Sequence, residues 1–140
     1  MLELFDAGNL DVKPNTVTFN SVIFAWAKSG DPSAGKRAEA ILHQMQKMSK
    51  AKNQNRSISP NVVTYTSIIS AWSNSKNRLG AERASANLDH MKKLAAGGDV
   101  KCQPNKFTYK AVIRAWFQSG HPETASTVKW LKEEMSILQR

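Results

Sequence analysis

Apolar residues recur along this chain at helical spacing and in matching blocks. From Val17 to Ser29, Phe19, Val22, Ile23 and Trp26 fall at i, i+3, i+4 and i+7, which is one face of a helix. Tyr65, Ile68, Ile69 and Trp72 repeat that spacing, and so do Tyr109, Val112, Ile113 and Trp116. Each block is followed by turn chemistry: Ser29-Gly30-Asp31-Pro32, the polar stretch 74–77, and Ser119-Gly120-His121-Pro122. A second apolar stripe then begins: Ala38, Ile41, Leu42, Met45 and Met48; Ala84, Leu88, Met91 and Leu94; Val128, Leu131, Met135 and Leu138. Period-two alternation is nowhere sustained, so no strand is expected. The pattern predicts three antiparallel helix pairs, each with a helix A and a helix B.

Polar residues repeat as faithfully as apolar ones. Pro14-Asn15, Pro60-Asn61 and Pro104-Asn105 precede the three A helices, and each is followed by Thr-aromatic, two branched aliphatics and Ala-Trp. The Trp residues are 46 and 44 residues apart, and a Met lies 19 residues after each. Length varies only between that Met and the next Pro-Asn. Self-similarity of this kind marks a repeat array, in which each pair buries its apolar faces on its neighbours. The chain divides into residues 1–15, the end of a preceding repeat; 16–61 and 62–105, two complete repeats; and 106–140, a third helix pair. Residues 1–8 read as the end of a helix closed by Gly8. Met1 stands where a repeat Met belongs, as expected of a chain cut from a longer array. The stretch 53–59 reads as a polar connection.

Composition narrows the function. A net charge of +9 suits a polyanionic partner. No apolar run is long enough to span a membrane. Acidic residues near the N-terminus suit neither a signal nor a transit peptide. Cys102 is the lone cysteine, so neither a disulfide framework nor a cysteine zinc site is expected. His43, His90 and His121 lack metal-ligand spacing. Glu133 and Glu134 are adjacent and so point to different helix faces. No glycine-rich phosphate loop follows a strand. The chain is expected to have no catalytic residues, no cofactor, no metal and no small-molecule substrate.

With its Val-Thr-Tyr-Thr-Ser-Ile-Ile block (Val63 to Ile69), its second helix ending in Met and its closing Pro-Asn, the chain resembles the pentatricopeptide repeat family. Two features depart from that family: the spacing exceeds its usual length, and extra residues lie between the helices and after the Met. The resemblance implies an all-α solenoid, right-handed by analogy with such arrays. It also implies single-stranded RNA as ligand, read at about one base per repeat. The implied base readers are the fifth and last residues of each repeat: Asn20 with Asn61, Thr66 with Asn105, and Lys110 in the third. Lys110 is unusual there: it suits a phosphate rather than a base, or a third repeat that does not read a base at all. Asn61 and Asn105 also stand where a helix cap is expected, with or without RNA. The second residues, Val17, Val63 and Phe107, are implied to stack between bases. Lys28, Lys106 and Arg114 are the expected phosphate contacts, ranked above the basic run Lys47, Lys50, Lys52 and Arg56. Trp26, Trp72 and Trp116 are expected to pack helix A on helix B, each buried between its own pair and the next, rather than to stack on bases.

The family implies a mitochondrial or chloroplast setting and partners in an RNA-processing complex. Two other functions fit the same pattern: a helical scaffold for a protein partner, and part of an RNA-processing enzyme whose catalytic domain lies elsewhere. A positively charged concave face would favour RNA; an apolar groove would favour a peptide.

Overall fold

The computed structural model describes residues 15–50 and 58–138; the helix end expected at residues 1–8, and Lys52 and Arg56 of the basic run, lie outside them. Among the described residues are six α-helices: α1 (Thr16–Ser29), α2 (Ala34–Ser49), α3 (Val62–Ser73), α4 (Arg78–Ala96), α5 (Lys106–Phe117) and α6 (Thr124–Leu138). A 3-10 turn covers Val100–Cys102, and no strand occurs among these residues. The array is all-α, as its periodicity predicts.

Each A helix starts in the same way. Asn15, Asn61 and Asn105 hold extended backbone and accept the N–H of Thr18, Thr64 and Thr108, whose hydroxyls accept the N–H of the Asn in return. This reciprocal capping box satisfies helix-end donors that otherwise have no partner. Gly30 ends α1 in the left-handed region, at φ 73°.

The A helices stack on one another as α1, α3 and α5, while α2 and α4 pack against both their own A helix and the next one. Two layers result, with one core between them. Phe19, Ile23, Met45, Tyr65, Ile68, Ile69, Leu88, Met91, Val112 and Leu131 are essentially inaccessible there. The predicted stripes hold except at the far ends of B helices, where Met48 and Leu138 are exposed.

The tryptophans pack in the direction opposite to the expected one. Trp72 lies against the preceding repeat. A Cβ at Gly35 would fall 2.2 Å from its Cδ2, and its indole N–H donates to Glu39 at 3.0 Å. Trp116 likewise donates to Ser85 of the preceding repeat, at 2.8 Å. Glu39 also accepts from Arg83 and Asn87, so one carboxylate ties α2 to both helices of the second repeat. Trp26 is only partly buried against the described core.

The polar connection also differs from expectation. Ile58 is completely buried, and Cys102, at the same place in the next repeat, is 1% exposed. Burial pushes the Cys102 thiol up to about 11. These inter-repeat segments stack along one edge. Ser59 exchanges hydrogen bonds with Thr16, Lys101 donates to Ser59 at 2.6 Å, and the Cys102 thiol meets the Pro60 carbonyl at 3.4 Å.

Candidate nucleic-acid interface

The exposed side of the A-helix layer carries a regular set of side chains. The second residue of each repeat is apolar and turned to solvent: Val17 is 71% exposed, Val63 54% and Phe107 62%. The buried stripe of each A helix begins two residues later, at Phe19, Tyr65 and Tyr109. The second residue therefore cannot share the core face.

Beside these residues runs a polar network that crosses each repeat boundary. Asn20, fifth in its repeat, donates from Nδ2 to Asn61 Oδ1 at 3.3 Å and accepts the hydroxyl of Thr64. Asn61 Oδ1 meanwhile accepts the Thr64 N–H at 3.1 Å. One repeat further on, Thr66 and Thr108 share a hydroxyl–hydroxyl bond of 2.8 Å, and Asn105 Oδ1 caps Thr108 N at 3.1 Å. In both cases the fifth residue meets the third residue of the next repeat, which is held in turn by the last residue of the repeat before it. The cap and the expected base-reading position thus coincide in the one side chain of Asn61. Its Oδ1 serves the helix, and its Nδ2 donates to nothing among the described residues.

Donor counting sets what each fifth residue can offer. Asn20 has used one N–H and one lone pair, which leaves one donor and one acceptor for a ligand. The Thr108 hydroxyl accepts from Asn105 N at 3.2 Å and donates to Asn105 Oδ1 at 3.2 Å. Either hydroxyl can donate in the 2.8 Å bond between Thr66 and Thr108, so Thr66 keeps at least one lone pair to turn outward.

Cations flank the row. The Lys28 ammonium lies 5.4 Å from the Phe24 ring centre, and that of Lys106 5.5 Å from Phe107. Lys106, Lys110 and Arg114 all lie exposed on α5. Lys47 and Lys50, exposed at the end of α2, belong to the B layer. No group of three or more His, Cys, Asp or Glu side chains among the described residues could hold a metal ion. No helix among them is long and apolar enough to cross a membrane.

Two kinds of residue escape a sequence reading. Thr64 and Thr108 bridge the fifth and last positions; their sequence signal is a Thr at that place in every repeat, Thr18 included. Phe24 is 52% exposed, lies off the buried stripe and follows Asn20 by one helical turn. An aromatic residue outside the core periodicity was the signal available for it.

Helix pairs stacked in two layers, with solvent-facing positions repeating from one repeat to the next, define an α-helical repeat array. A family model described as "Pentatricopeptide repeat domain" matches residues 49–119, and one described as "PPR repeat" matches residues 17–49. The chain belongs to the pentatricopeptide repeat family. No curated protein and no solved structure matches it. As a class these repeats are helical scaffolds, typically non-enzymatic, generally organellar and associated with RNA binding.

Proposed function

We propose that this chain binds single-stranded RNA along the exposed side of its A-helix layer, at about one base per repeat. The observation that carries this reading is the alternation on that side. Exposed Val17, Val63 and Phe107 are spaced by the Asn20–Asn61 and Thr66–Thr108–Asn105 networks. Bases stack between successive second residues, because every base has an apolar face, and their Watson–Crick edges meet the amides and hydroxyls. Asn20 offers one donor and one acceptor, which a pyrimidine edge can complement. Thr66 offers a lone pair, which accepts the exocyclic amine of adenine. The family pattern gives the same assignment: Asn with Asn for a pyrimidine, Thr with Asn for adenine.

Repeats 16–61 and 62–105 therefore read pyrimidine-A. Lys28, Lys106 and Arg114 neutralise phosphates. Lys110, fifth in the third repeat, joins them where a base reader would otherwise stand. The setting we propose is an organelle, mitochondrion or chloroplast, where the array supports RNA processing or stability beside other proteins of a processing complex.

The test is binding of short RNAs at several salt concentrations. Affinity that falls with salt and differs between UA and UG oligonucleotides supports the reading. Salt-independent binding, or equal binding of all sequences, would make the array a scaffold for a protein partner instead.

A further inference from the structure

The first repeat carries an exposed aromatic side chain at a place where the other two have none. The ninth residue of the repeat, one helical turn after the base reader, is Phe24 in the first, Ser70 in the second and Arg114 in the third. Phe24 opens onto a cleft of about 430 Å³, lined by Val17, Asn20, Ser21, Phe24, Asn61 and Val63. Those residues include the second residues of the first and second repeats and both proposed base readers of the first. The same ring carries the Lys28 ammonium 5.4 Å from its centre.

We infer that Phe24 is a specificity and positioning residue for the first nucleotide, making this seat the strongest in the array for a pyrimidine nucleotide. The inference rests on the RNA-binding reading above and adds a residue to it. Three apolar side chains and two amides then surround a single base: Val17 and Val63 on its faces, Asn20 and Asn61 at its hydrogen-bonding edge, Phe24 as a third wall. An aromatic wall adds contact area without using a donor or acceptor, so it raises affinity for any base that also satisfies the amides. A pyrimidine does so, and since adenine also presents one donor and one acceptor, the third wall at Phe24 is what favours the smaller ring over a purine. Phe24 has a second effect through charge. Lys28 sits on the ring face, where the quadrupole attracts a cation, so its ammonium is held against a residue that lines the cleft instead of sweeping through solvent. The phosphate attached to the bound base meets a cation already in place. At Ser70 neither effect is available.

The experiment uses the whole chain and short single-stranded RNAs carrying UA, AA or UG, or an abasic site followed by A, at the two read positions. Binding is followed by fluorescence anisotropy at low salt. Phe24→Ser gives the first repeat the residue found in the second. It should leave the thermal midpoint unchanged, because the ring is half exposed. It should lower affinity for UA RNA by about tenfold, within the range seen when a stacking ring is removed. The UA-over-AA preference should fall, while the UA-over-UG preference read by Thr66 stays. On the abasic RNA the variant should lose much less, only what the displaced Lys28 contributed. Phe24→Leu should recover part of the UA affinity.

An unchanged UA affinity in Phe24→Ser, with wild-type discrimination intact, would overturn the role of Phe24 and leave the RNA reading standing. So would an equal loss on UA and abasic RNA. Wild-type protein that discriminates at neither position would overturn both.

Discussion

Trp72 and Glu39 join consecutive repeats through a single hydrogen bond, indole N–H to carboxylate, of 3.0 Å. The indole also fills the space that a side chain at Gly35 would occupy. Trp72→Ala should therefore open the boundary between the first two repeats and cost about 3–5 kcal/mol, as large-to-small core changes do. Gly35→Ala should cost about 1–3 kcal/mol by overpacking against the same ring. Glu39→Ala leaves the indole and the Asn87 amide short of an acceptor and should cost about 1–3 kcal/mol. Urea denaturation checks all three; an unchanged midpoint in Trp72→Ala would sink the packing account.

Val63→Ala separates binding from stability. The side chain is 54% exposed and belongs to no core contact set. Its loss should move the thermal midpoint little while weakening RNA binding, since one stacking partner contributes about 1–3 kcal/mol at most. A variant that unfolds but binds normally when folded would place Val63 in the scaffold rather than the interface.

Salt reports on the phosphates. The log–log slope of affinity against salt should be near −0.7 for each phosphate neutralised. Lys28→Ala should make it shallower by about one such increment and weaken all sequences alike. A slope that Lys28→Ala does not change would remove Lys28 from the phosphate path.

Thr66→Asn replaces a hydroxyl with an amide, which carries a separate donor and acceptor. Preference at the second position should shift from adenine toward a pyrimidine. Because two or three bases give weak binding once association costs are met, the comparison is best made with this pair of repeats grafted into a longer array of known specificity. Equal binding of UA and UG, unmoved by the substitution, would show that these long repeats do not keep base register.

Alkaline stability follows from burial. The Cys102 thiol is pushed from 9.0 up to about 11 by desolvation, and the Tyr65 hydroxyl from 10.0 up to about 12 for the same reason. In both, the folded state holds its proton more tightly than the unfolded chain. Their contribution is whole below about pH 9 and is lost as pH rises toward 11 and 12. Thermal midpoints should fall over that window. In Cys102→Ala the decline should begin later, near the ordinary tyrosine value of 10.0. A midpoint that is flat up to pH 12 would contradict the burial of both groups.

Periodicity made the helix pairs legible, because Phe19, Tyr65 and Tyr109 recur at one place in three copies of one pattern. It fixed which face of an A helix is buried but not which neighbour covers it. The stripe ending in Trp72 is the same whether the ring meets the preceding or the following repeat, and only stacking decides. Ile58 and Cys102 were hidden for another reason. Each lies in a short connection without helical periodicity, and its burial depends on the edge formed by the stacked segments. At the candidate interface the fifth and last residues could be named by resemblance. Their bridge through Thr64 and Thr108 could not, since it joins side chains 44 and 42 residues apart.

The stacked edge at Ser59 and Cys102 separates two lengths that a chain ordinarily confounds. Contour length varies there: one repeat spends 46 residues between tryptophans, the other 44. The step from one fifth residue to the next boundary threonine does not vary with it, because that step is set where A helices touch. Such an array behaves as a ruler whose graduations are set by its A helices, whatever the contour length between them. A residue added after Gly97 would lengthen the polypeptide and leave Thr66 facing Thr108.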